Sequence, residues 1–477
     1  MSKLEKINYT NPSGFTEFLP GEKRLESYLM DTIRKVYESY GFTPIETPAV
    51  ERLEVLQAKG NQGDNIIYGI SPILPPNKQA EKEQSNKDKS DDNNSEARAL
   101  KFDQTVPLAA YIARNLNNLI FPFARYQMDV VFRGERAKDG RFRQFRQCDI
   151  DVIARRELSL LYDAQMPAII SEIFEAVNIG DFLIRINNRK VLTGFFQSVG
   201  VTEDKIKTCV GIVDNFEKIG EVKVKNELEK QGISSEQTEK IIEFINIKGS
   251  VDEVLDKLKH LAENISEAEQ FKLGVDELET VISGVRNLGV ADNRYCIDLS
   301  IARGLDYYTG TVYETTLLGH EALGSICSGG RYEELVGTFL GEKMPGVGIS
   351  IGLTRLMSRL LKADILKALS ATPAQVMVVN LQEDLMPLYL KVSQQLRQAG
   401  INVITSFDKR GLGKQFQSAD KQGIQFCVII GADEALEQKS NLKDLKSGEQ
   451  IEVSLDKLAE EIQRRVNSTP FPTEDYR

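Results

Sequence analysis

The sequence predicts an α+β protein of several domains, and three of its segments carry that prediction. Residues 124–151 contain two strand-like stretches separated by Asp139-Gly140, which is typical of the turn of an antiparallel hairpin. Residues 186–289 show apolar residues at helical spacing, with polar residues on the other faces. After Thr372, strands alternate with helices, which indicates a small and mainly parallel α/β sheet.

The composition is that of a soluble globular protein, and it limits the classes of function. The 477 residues suit two to four domains, and 41% hydrophobic with 27% charged residues is ordinary. No apolar run resembles a signal peptide or a membrane span, so we expect a cytoplasmic location and no membrane partner. The five cysteines are scattered and never form CxxC, which favours reduced thiols and predicts no metal site. A net charge of −10 gives no global attraction for nucleic acid, so any such contact needs a local concentration of cations.

The N-terminal part combines scaffold elements with one strongly polar insertion. Apolar spacing predicts a helix over Glu22–Tyr40 that Gly41 ends, followed by a strand that ends near Pro48. Residues 77–95 are almost devoid of apolar side chains and cannot offset the entropy of ordering, so we expect a mobile insertion in a loop.

Order resumes over Leu100–Asn115, which predicts a short strand and then a helix beginning near Pro107. Thr105 is the predicted N-cap of that helix. Asp103 and Thr105 therefore lie where the strand ends, which is a common place for ligand contacts.

Cations are concentrated in the hairpin, whose residues 131–151 read VFRGERAKDGRFRQFRQCDID. Pairing of its strands would gather one polar and aromatic cluster around the loop, formed by Arg133, Arg141, Arg143, Arg146, Gln147, Phe132, Phe142 and Phe145. Arginine is favoured over lysine where phosphate is recognised by two parallel hydrogen bonds, so the cluster indicates an anion site. A solvated, salt-bridged hairpin is the alternative.

A second polar strand follows the helical segment. Arg303–Glu314 reads RGLDYYTGTVYE, and this mixture of an arginine, an acid and two adjacent tyrosines with β-branched residues predicts a strand that lines a polar active site. The glycines at 329, 330, 346, 348 and 352 would let a planar ligand or a phosphate approach the backbone, although glycines also mark bulges or tight packing. Arg355 opens a helix, where it opposes the positive end of the dipole; a bound anion or a neighbouring carboxylate would offset that repulsion.

The C-terminal segment predicts strands at Val376–Asn380, Val403–Phe407 and Phe426–Ile430. One stretch between them presents a basic face suited to an RNA backbone, formed by Lys409, Arg410, Lys414 and Lys421. A solvated helix face explains the same residues when they are considered alone.

Four segments together closely resemble the histidyl-tRNA synthetase family of class II aminoacyl-tRNA synthetases. They are the hairpin FRGERAKDGRFRQFRQCDID, the strand RGLDYYTGTVYE, the stretch SGGRYEELVG and the IGLTR helix, in the family's order. The resemblance covers essentially the whole chain. It implies the class II antiparallel sheet flanked by helices, with motif 1 ending at Pro48, motif 2 in the hairpin and motif 3 in the Arg355 helix.

The resemblance also implies domains and partners. Residues 1–185 and 290–370 would form the catalytic core, residues 186–289 a mainly helical inserted domain, and residues 373–477 an anticodon-binding α/β domain. The implied partners are L-histidine, ATP, tRNA(His) and a second copy of the chain, which would join through motif 1. Mg²⁺ would enter with ATP through its phosphates, and no tightly bound cofactor is expected.

The implied activity is that of a ligase acting in two steps. The carboxylate of histidine attacks the α-phosphorus of ATP and releases pyrophosphate, and a ribose hydroxyl of the tRNA 3′ end then takes the histidyl group. Catalysis can rest on positioning and on cations placed where phosphate charge develops. By similarity, Arg133 and Arg303 would stabilise the α-phosphate from opposite sides, and Arg355 would bind the γ-phosphate and stack on adenine. Arg141 would also contact ATP.

The resemblance divides the histidine site into two ends. Asp103, Thr105 and Gln147 would hold the amino end of histidine, while Asp151, Tyr308 and Tyr332 would read the imidazole. Tyr307 would support the pocket wall. Imidazole offers one donor and one acceptor, which a buried acid and a phenol can complement.

Two departures from the family pattern stand out. Thr354 occupies the position where motif 3 usually has a glutamate before its arginine, and Asp103 and Asp151 stand where many bacterial relatives have glutamate.

Two other kinds of protein would resemble the same family: a regulatory paralogue that activates ATP phosphoribosyltransferase, and a catalytically inactive RNA sensor. The first usually lacks the anticodon-binding domain and the catalytic arginines, and the second would show a lost arginine or a fused effector domain. The presence of all three arginines and of the C-terminal domain favours the synthetase.

Overall fold

The largest element of the structure is a sheet of eight strands. This computed structural model describes residues 8–58, 66–72, 97–136, 140–265, 269–302 and 308–468. Numbered along the chain, the described strands are β1 Thr43–Pro44, β2 Val50–Arg52, β3 Gly69–Ile70, β4 Arg98–Leu100, β5 Phe123–Phe132, β6 Gln144–Ile153, β7 Phe182–Asn188, β8 Tyr295–Ile297, β9 Thr311–Leu317, β10 Cys327–Tyr332, β11 Gly346–Ile351, β12 Val376–Val378, β13 Val403–Thr405, β14 Phe426–Ile429, β15 Lys439–Asp444 and β16 Gln450–Ser454. The large sheet has the order β1-β5-β6-β11-β10-β9-β7-β8 and is antiparallel except at its two outer pairs.

Helices fill the segments between these strands. The described α-helices are Pro20–Ser39, Leu53–Gln57, Thr105–Asn115, Leu161–Val177, Arg189–Ser198, Glu203–Val213, Phe216–Ile219, Glu221–Lys230, Ser235–Ile245, Val251–Asn264, Glu269–Asn287, Gly337–Leu340, Leu353–Lys362, Met386–Gln398, Leu412–Gln422, Ala432–Leu436 and Leu458–Ser468. None of these helices has the length and apolar character that crossing a bilayer requires.

The chain forms two compact units. The first comprises the described parts of residues 1–16 and 30–359, and it contains the large sheet, the small sheet β2-β4-β3 and the helices between β7 and β8. The second comprises the described parts of residues 17–29 and 360–477. Its sheet has the order β13-β12-β14-β15-β16, in which the first three strands are parallel and the last two join antiparallel.

The hairpin β5–β6 separates a polar face from an apolar face because side chains alternate along each strand. Its register places three polar pairs directly opposite one another: Arg125 with Asp151, Gln127 with Asp149, and Asp129 with Gln147. On the other face Tyr126 packs on Tyr37, with ring centroids 5.9 Å apart. The Tyr37 hydroxyl donates a hydrogen bond of 3.1 Å to the carbonyl of Cys148, so the part of the N-terminal helix that belongs to the first unit packs on the apolar face.

The antiparallel sheet, the helical segment and the C-terminal α/β sheet confirm the predicted fold class. The predicted turn lies partly outside the described residues, but Gly140 has the left-handed φ of +72° that favours glycine. The insertion at residues 77–95 lies outside the described residues, which resume at residue 97, and the domain boundaries stay a prediction.

Two local predictions were wrong. The strand predicted to begin at Arg303 begins at Thr311 in the described part of the chain, and residues 303–307 lie outside that part. Thr105 does not cap its helix but is the first helical residue; the Asp103 carboxylate accepts the hydrogen bond from the Val106 N–H instead, at 3.0 Å. An ionised carboxylate is a stronger acceptor than a hydroxyl and also suits the positive end of the helix dipole.

Stability of the first unit should depend strongly on the buried pair Asp163–Arg331. The Arg331 guanidinium donates to both carboxylate oxygens and to the carbonyl of Leu158 at 3.1 Å, and Asp163 is fully buried. We expect Asp163→Asn to lower the free energy of unfolding by about 3–5 kcal/mol, because it leaves a buried guanidinium uncompensated. Urea titration followed by circular dichroism measures this change.

The exposed pair Asp181–Arg294 provides the control. Its atoms are 2.9 Å apart, but the Asp181 side chain is 76% exposed, so Asp181→Asn should cost less than about 1 kcal/mol. Equal effects of the two substitutions would contradict the structural importance of the Asp163–Arg331 pair.

Candidate active site

A cleft of about 370 Å³ lies over the polar face of the large sheet. Its lining is dominated by arginines, with Glu135 as its one acid within the described residues; the cations are Arg133, Arg141, Arg355 and Arg359. Phe142 and Phe145 add aromatic surface. A cleft with this excess of guanidinium groups suits a planar, multiply charged anion.

Arg133 is held in place by two aromatic rings. Its guanidinium carbon lies 4.5 Å from the centroid of Phe102 and 5.0 Å from that of Phe145, and its Nε donates to the carbonyl of Phe102 at 3.4 Å. Burial lowers the pKa of Arg133, while the nearby carboxylates of Asp103 and Glu135 oppose that shift. The side chain is therefore a positioned cation in a partly desolvated site.

Arg355 lies in the first turn of the helix Leu353–Lys362 and faces the same cleft. Its neighbour Thr354, which replaces the usual glutamate of motif 3, is 4% exposed. The Thr354 hydroxyl accepts a hydrogen bond of 2.9 Å from the backbone N–H of Arg146. Thr354 thus ties the helix to strand β6.

At three of the predicted glycines, side chains of the protein itself occupy the space that a Cβ would need. A Cβ at Gly346 would lie 2.4 Å from the ring of Tyr332, and one at Gly348 would lie 2.3 Å from the carboxylate of Asp151. A Cβ at Gly330 would lie 2.8 Å from the ring of Tyr308. Tight packing of site residues therefore explains these three glycines, whereas Gly352 lines the cleft and remains open to a ligand.

A small pocket of about 30 Å³ adjoins the cleft, and Ser350 lines both cavities. The pocket is lined by Thr105, Asp149, Asp151, Tyr308, Tyr332, Gly348, Ile349 and Ser350. Asp151 accepts a hydrogen bond of 2.8 Å from the Tyr332 hydroxyl and pairs with the Arg125 guanidinium. Burial raises the pKa of Asp151, and Arg125 opposes that shift.

Asp149 is the second acid of the small pocket. It is 4% exposed, and burial raises its pKa to about 7 although Arg125 opposes the shift. Arg125 is completely buried and donates from Nη1 to the backbone carbonyl of Asp149 at 3.4 Å. A single buried guanidinium thus faces two buried carboxyl groups.

The structure brings most of the predicted site residues together. Arg133, Arg141, Gln147 and Arg355 line the cleft, and Thr105, Asp151, Tyr308 and Tyr332 line the small pocket. Asp103 lines neither cavity, but its charge acts on Arg133, Asp149 and Asp151. Arg303 and Tyr307 lie outside the described residues.

Two arginines of the predicted hairpin cluster have other contacts. Arg143 donates from Nε to the carbonyl of Glu135 at 3.0 Å, and Arg146 donates from Nη1 to the carbonyl of Met128 at 3.1 Å. Neither lines the cleft. Both arginines connect the two halves of the hairpin through these hydrogen bonds to backbone carbonyls.

Sequence reasoning missed Arg125, Asp149 and Ser350. A signal for the first two was present, because polar residues recur at every second position of β5 (Arg125, Gln127, Asp129) and of β6 (Gln147, Asp149, Asp151). Ser350 gave no signal, since one serine in a strand with glycines is common.

Comparison with known proteins agrees with this geometry. The family profile described as Histidyl-tRNA synthetase matches residues 77–356, and that described as Anticodon binding domain matches residues 375–465. The histidine–tRNA ligase of Nostoc punctiforme is 82% identical over 98% of this chain and 100% of its own length. The crystal structure of histidyl-tRNA synthetase from Nostoc sp. PCC 7120 matches with a TM-score of 0.89 and 75% identity, covering 96% of this chain and 100% of that one.

A more distant structure shares the fold alone. It is described as an ATP phosphoribosyltransferase regulatory subunit/histidyl-tRNA synthetase from Bacillus halodurans, and it matches with a TM-score of 0.68 at 17% identity over 87% of this chain and 97% of its own. Since one family profile covers more than half of the 477 residues and a relative of very high identity aligns over nearly all of them, this chain belongs to the histidyl-tRNA synthetase family.

Proposed function

We propose that this chain is a histidine–tRNA ligase that forms histidyl-adenylate from L-histidine and ATP and then transfers the histidyl group to the 3′ end of tRNA(His). One observation carries the proposal: an arginine-lined cleft adjoins a small pocket that is lined by two buried acids, and Ser350 lines both cavities. The cleft suits ATP, and the pocket suits the imidazole of histidine.

The junction of the two cavities is where the first step takes place. The carboxylate of histidine attacks the α-phosphorus of ATP there, the bond to the β,γ-phosphates breaks, and pyrophosphate leaves. Arg133 holds the α-phosphate and the attacking carboxylate, Arg303 stabilises the α-phosphate from the other side, and Arg355 holds the γ-phosphate and stacks on adenine. Arg141 adds a further contact to ATP. These cations act where negative charge develops, which is the main source of catalysis in phosphoryl chemistry of this kind.

Histidine is held at both ends. Gln147 donates from Nε2 to the Ser350 hydroxyl at 2.6 Å, which leaves its carbonyl oxygen to accept from the substrate ammonium group together with Asp103 and Thr105. At the other end, Asp151, Tyr308 and Tyr332 read the imidazole, and Tyr307 supports the pocket wall. Two ends fixed in this way bring the carboxylate into line with the α-phosphorus.

The second unit binds the tRNA. The carboxyl ends of β12 and β13 present Leu381 and Phe407, which are 43% and 69% exposed, next to Lys409 and Arg410. An exposed aromatic ring beside cations suits an unstacked base and a phosphate backbone. Lys409 pairs with Glu383 and Arg410 with Asp408, and phosphate would compete with these carboxylates for the cations. We assign this edge of the sheet to the anticodon.

The remaining expectations belong to the same proposal. The chain acts as a cytoplasmic homodimer, and Mg²⁺ enters with ATP as part of the substrate complex. The cleft arginines and the complete C-terminal sheet support a synthetase over the regulatory paralogue, since that function needs neither.

Removing Arg133 should abolish most of the first step. We expect Arg133→Gln to reduce kcat of histidine-dependent ATP–pyrophosphate exchange by about 10²–10³-fold, because one preorganised donor to the developing charge is lost. Arg155 lies just beyond the other end of the hairpin in an exposed pair with Glu342, so Arg155→Gln serves as the control and should keep near-normal exchange. Near-normal exchange by Arg133→Gln would remove Arg133 from the mechanism.

Removing the Tyr332 hydroxyl should weaken histidine binding. Tyr332→Phe leaves the buried Asp151 carboxylate without one donor, and we expect the KM for histidine in the exchange assay to rise about 10–100-fold. Tyr313 is an equally buried tyrosine whose hydroxyl donates to the carbonyl of Asp163 instead. Tyr313→Phe should therefore lower stability without changing KM; a similar KM effect in both variants would argue against a role for Tyr332 in recognition.

Removing the exposed ring of Phe407 should affect tRNA and not the adenylate. A stacked base contributes about 1–3 kcal/mol, so Phe407→Ala should lower kcat/KM for tRNA aminoacylation at least about fivefold while exchange stays unchanged. Leu390 is a 45% exposed residue on the helix Met386–Gln398 of the same unit, and Leu390→Ala is the control. Equal loss of exchange and aminoacylation by Phe407→Ala would contradict the assignment of this edge to RNA.

A further inference from the structure

Asp149 differs from Asp151, the other acid of the small pocket, in the hydrogen bonding of its carboxylate. Its Oδ1 atom is buried, and among the described residues no group donates a hydrogen bond to it. Asp149 lies on β6 between Gln147 and Asp151, and it lines the pocket that Tyr308 and Tyr332 also line. A buried carboxylate oxygen with no donor is costly, so its presence inside a pocket points to a ligand that supplies one.

Both oxygens of Asp151 are already engaged within the protein. Oδ1 accepts from the Tyr332 hydroxyl and Oδ2 pairs with the Arg125 guanidinium. Asp149 differs, because the contact with Ser350 leaves its Oδ1 open. Ser350 already accepts from Gln147, so its own hydroxyl proton is available for the Asp149 carboxylate.

We propose that Asp149 accepts a hydrogen bond from the ring N–H of bound histidine and is therefore a specificity-determining residue of this pocket. Neutral imidazole has only one N–H, so Asp151 acts on the ring through the Tyr332 hydroxyl that it positions. The inference rests on the proposed function, since it takes histidine as the ligand. The ring is favoured over the ammonium group because all three residues assigned to the imidazole, Asp151, Tyr308 and Tyr332, line this pocket. Of the three assigned to the amino end, Thr105 lines it, but Asp103 and Gln147 do not.

The electrostatic surroundings of Asp149 fit this role. The charged or titratable groups that interact electrostatically with it come from several elements: Arg125, Asp151, Asp103, Arg133, Tyr37, Cys327 and Tyr308. Burial has the largest effect and raises the pKa of Asp149 to about 7, against the ordinary value of 3.8. At neutral pH the free carboxyl group is thus near its midpoint, and a donor from the ligand stabilises its ionised form.

A double-mutant cycle between protein and substrate tests the contact. L-Histidine is compared with β-(thiazol-4-yl)-L-alanine, in which sulfur replaces the ring N–H while the other ring nitrogen is kept. The dissociation constants of both compounds are measured by calorimetry for the wild-type protein and for Asp149→Asn. A hydrogen bond to a charged group corresponds to about 10–100-fold in affinity, so the wild-type protein should discriminate against the analogue by that factor, and Asp149→Asn should lose at least tenfold of the discrimination.

The outcomes separate this contact from its alternatives. Unchanged discrimination by Asp149→Asn overturns the proposal, whether the residue contacts the ammonium group or serves the fold alone. Asp129→Asn is the matched control, since Asp129 lies on the same face of the hairpin, pairs with Lys101 and lines neither cavity; its discrimination should equal that of the wild-type protein. If the wild-type protein binds histidine but supports no exchange, the proposed function fails while the cycle still decides the contact, and if histidine does not bind, both fail.

The pH dependence gives a second readout that a purely structural role would not produce. The ionised carboxylate is the stronger acceptor, so the ratio of the histidine Kd of Asp149→Asn to that of the wild-type protein should grow as pH rises from 6 to 8. Titration of the substrate imidazole affects both proteins equally and cancels in this ratio. A ratio that is constant over this range would overturn the proposal.

The raised pKa of Asp149 should lower the stability of the ligand-free protein at high pH. Between about pH 4 and 7 the Asp149 carboxyl group is ionised in the unfolded chain and protonated in the folded one. The free energy of unfolding therefore falls as pH rises through this range, and the whole loss is reached above about pH 7. Asp149→Asn should therefore melt at a higher temperature than the wild-type protein at pH 8, with a smaller difference at pH 5. This comparison also shows that the variant folds.

Discussion

The pairing of Arg125 on β5 with Asp151 on β6 is the interaction on which the candidate site depends. Arg125 is completely buried, and its guanidinium contacts both the carboxylate of Asp151 and the backbone of Asp149. Without this cation, two acids in one small pocket would repel each other and lose their hydration, at a cost of several kcal/mol for each ion. One buried guanidinium therefore makes it feasible for the protein to present acidic groups to a weakly basic ligand.

The register of the hairpin determines which side chains can cooperate. Because Arg125 lies directly opposite Asp151, and Gln127 opposite Asp149, a slip of one residue would turn all of them to the other face. That other face is held by Tyr126 and Tyr37 against the N-terminal helix. Apolar packing on one side of the sheet thus fixes the polar constellation on the other.

The sequence was sufficient to predict the hairpin and to single out several residues that line one cleft. Alternation of side chains and the Asp139-Gly140 pair predicted antiparallel strands, and Arg133 and Arg141 were predicted for the cleft that they line. The pattern could not show that Arg143 contacts a backbone carbonyl, since cations of one loop are equivalent until their neighbours are known. Whether Asp149 faces the site depends on β11 lying beside β6, a contact between residues about two hundred positions apart.

The role of the glycines in β11 could not be predicted from the sequence either. A sequence shows that a Cβ is absent but not what occupies its place, and ligand or protein could fill the space at Gly346 and Gly348. The structure fills it with the ring of Tyr332 and the carboxylate of Asp151. These glycines let the ring of Tyr332 and the carboxylate of Asp151 lie close to the backbone of the sheet.

Thr354 shows how a departure from the motif can retain the geometry that the site needs. Its hydroxyl accepts from the backbone of β6, so the helix that carries Arg355 is tied to the strand that follows the Arg133 loop. A carboxylate at this position could accept the same hydrogen bond, but it would add a negative charge beside a cleft lined by four arginines, which we propose to bind ATP. Threonine keeps the acceptor without the charge, and it ties the helix of Arg355 to β6 by a bond to a backbone N–H that occupies none of the arginine side chains lining the cleft.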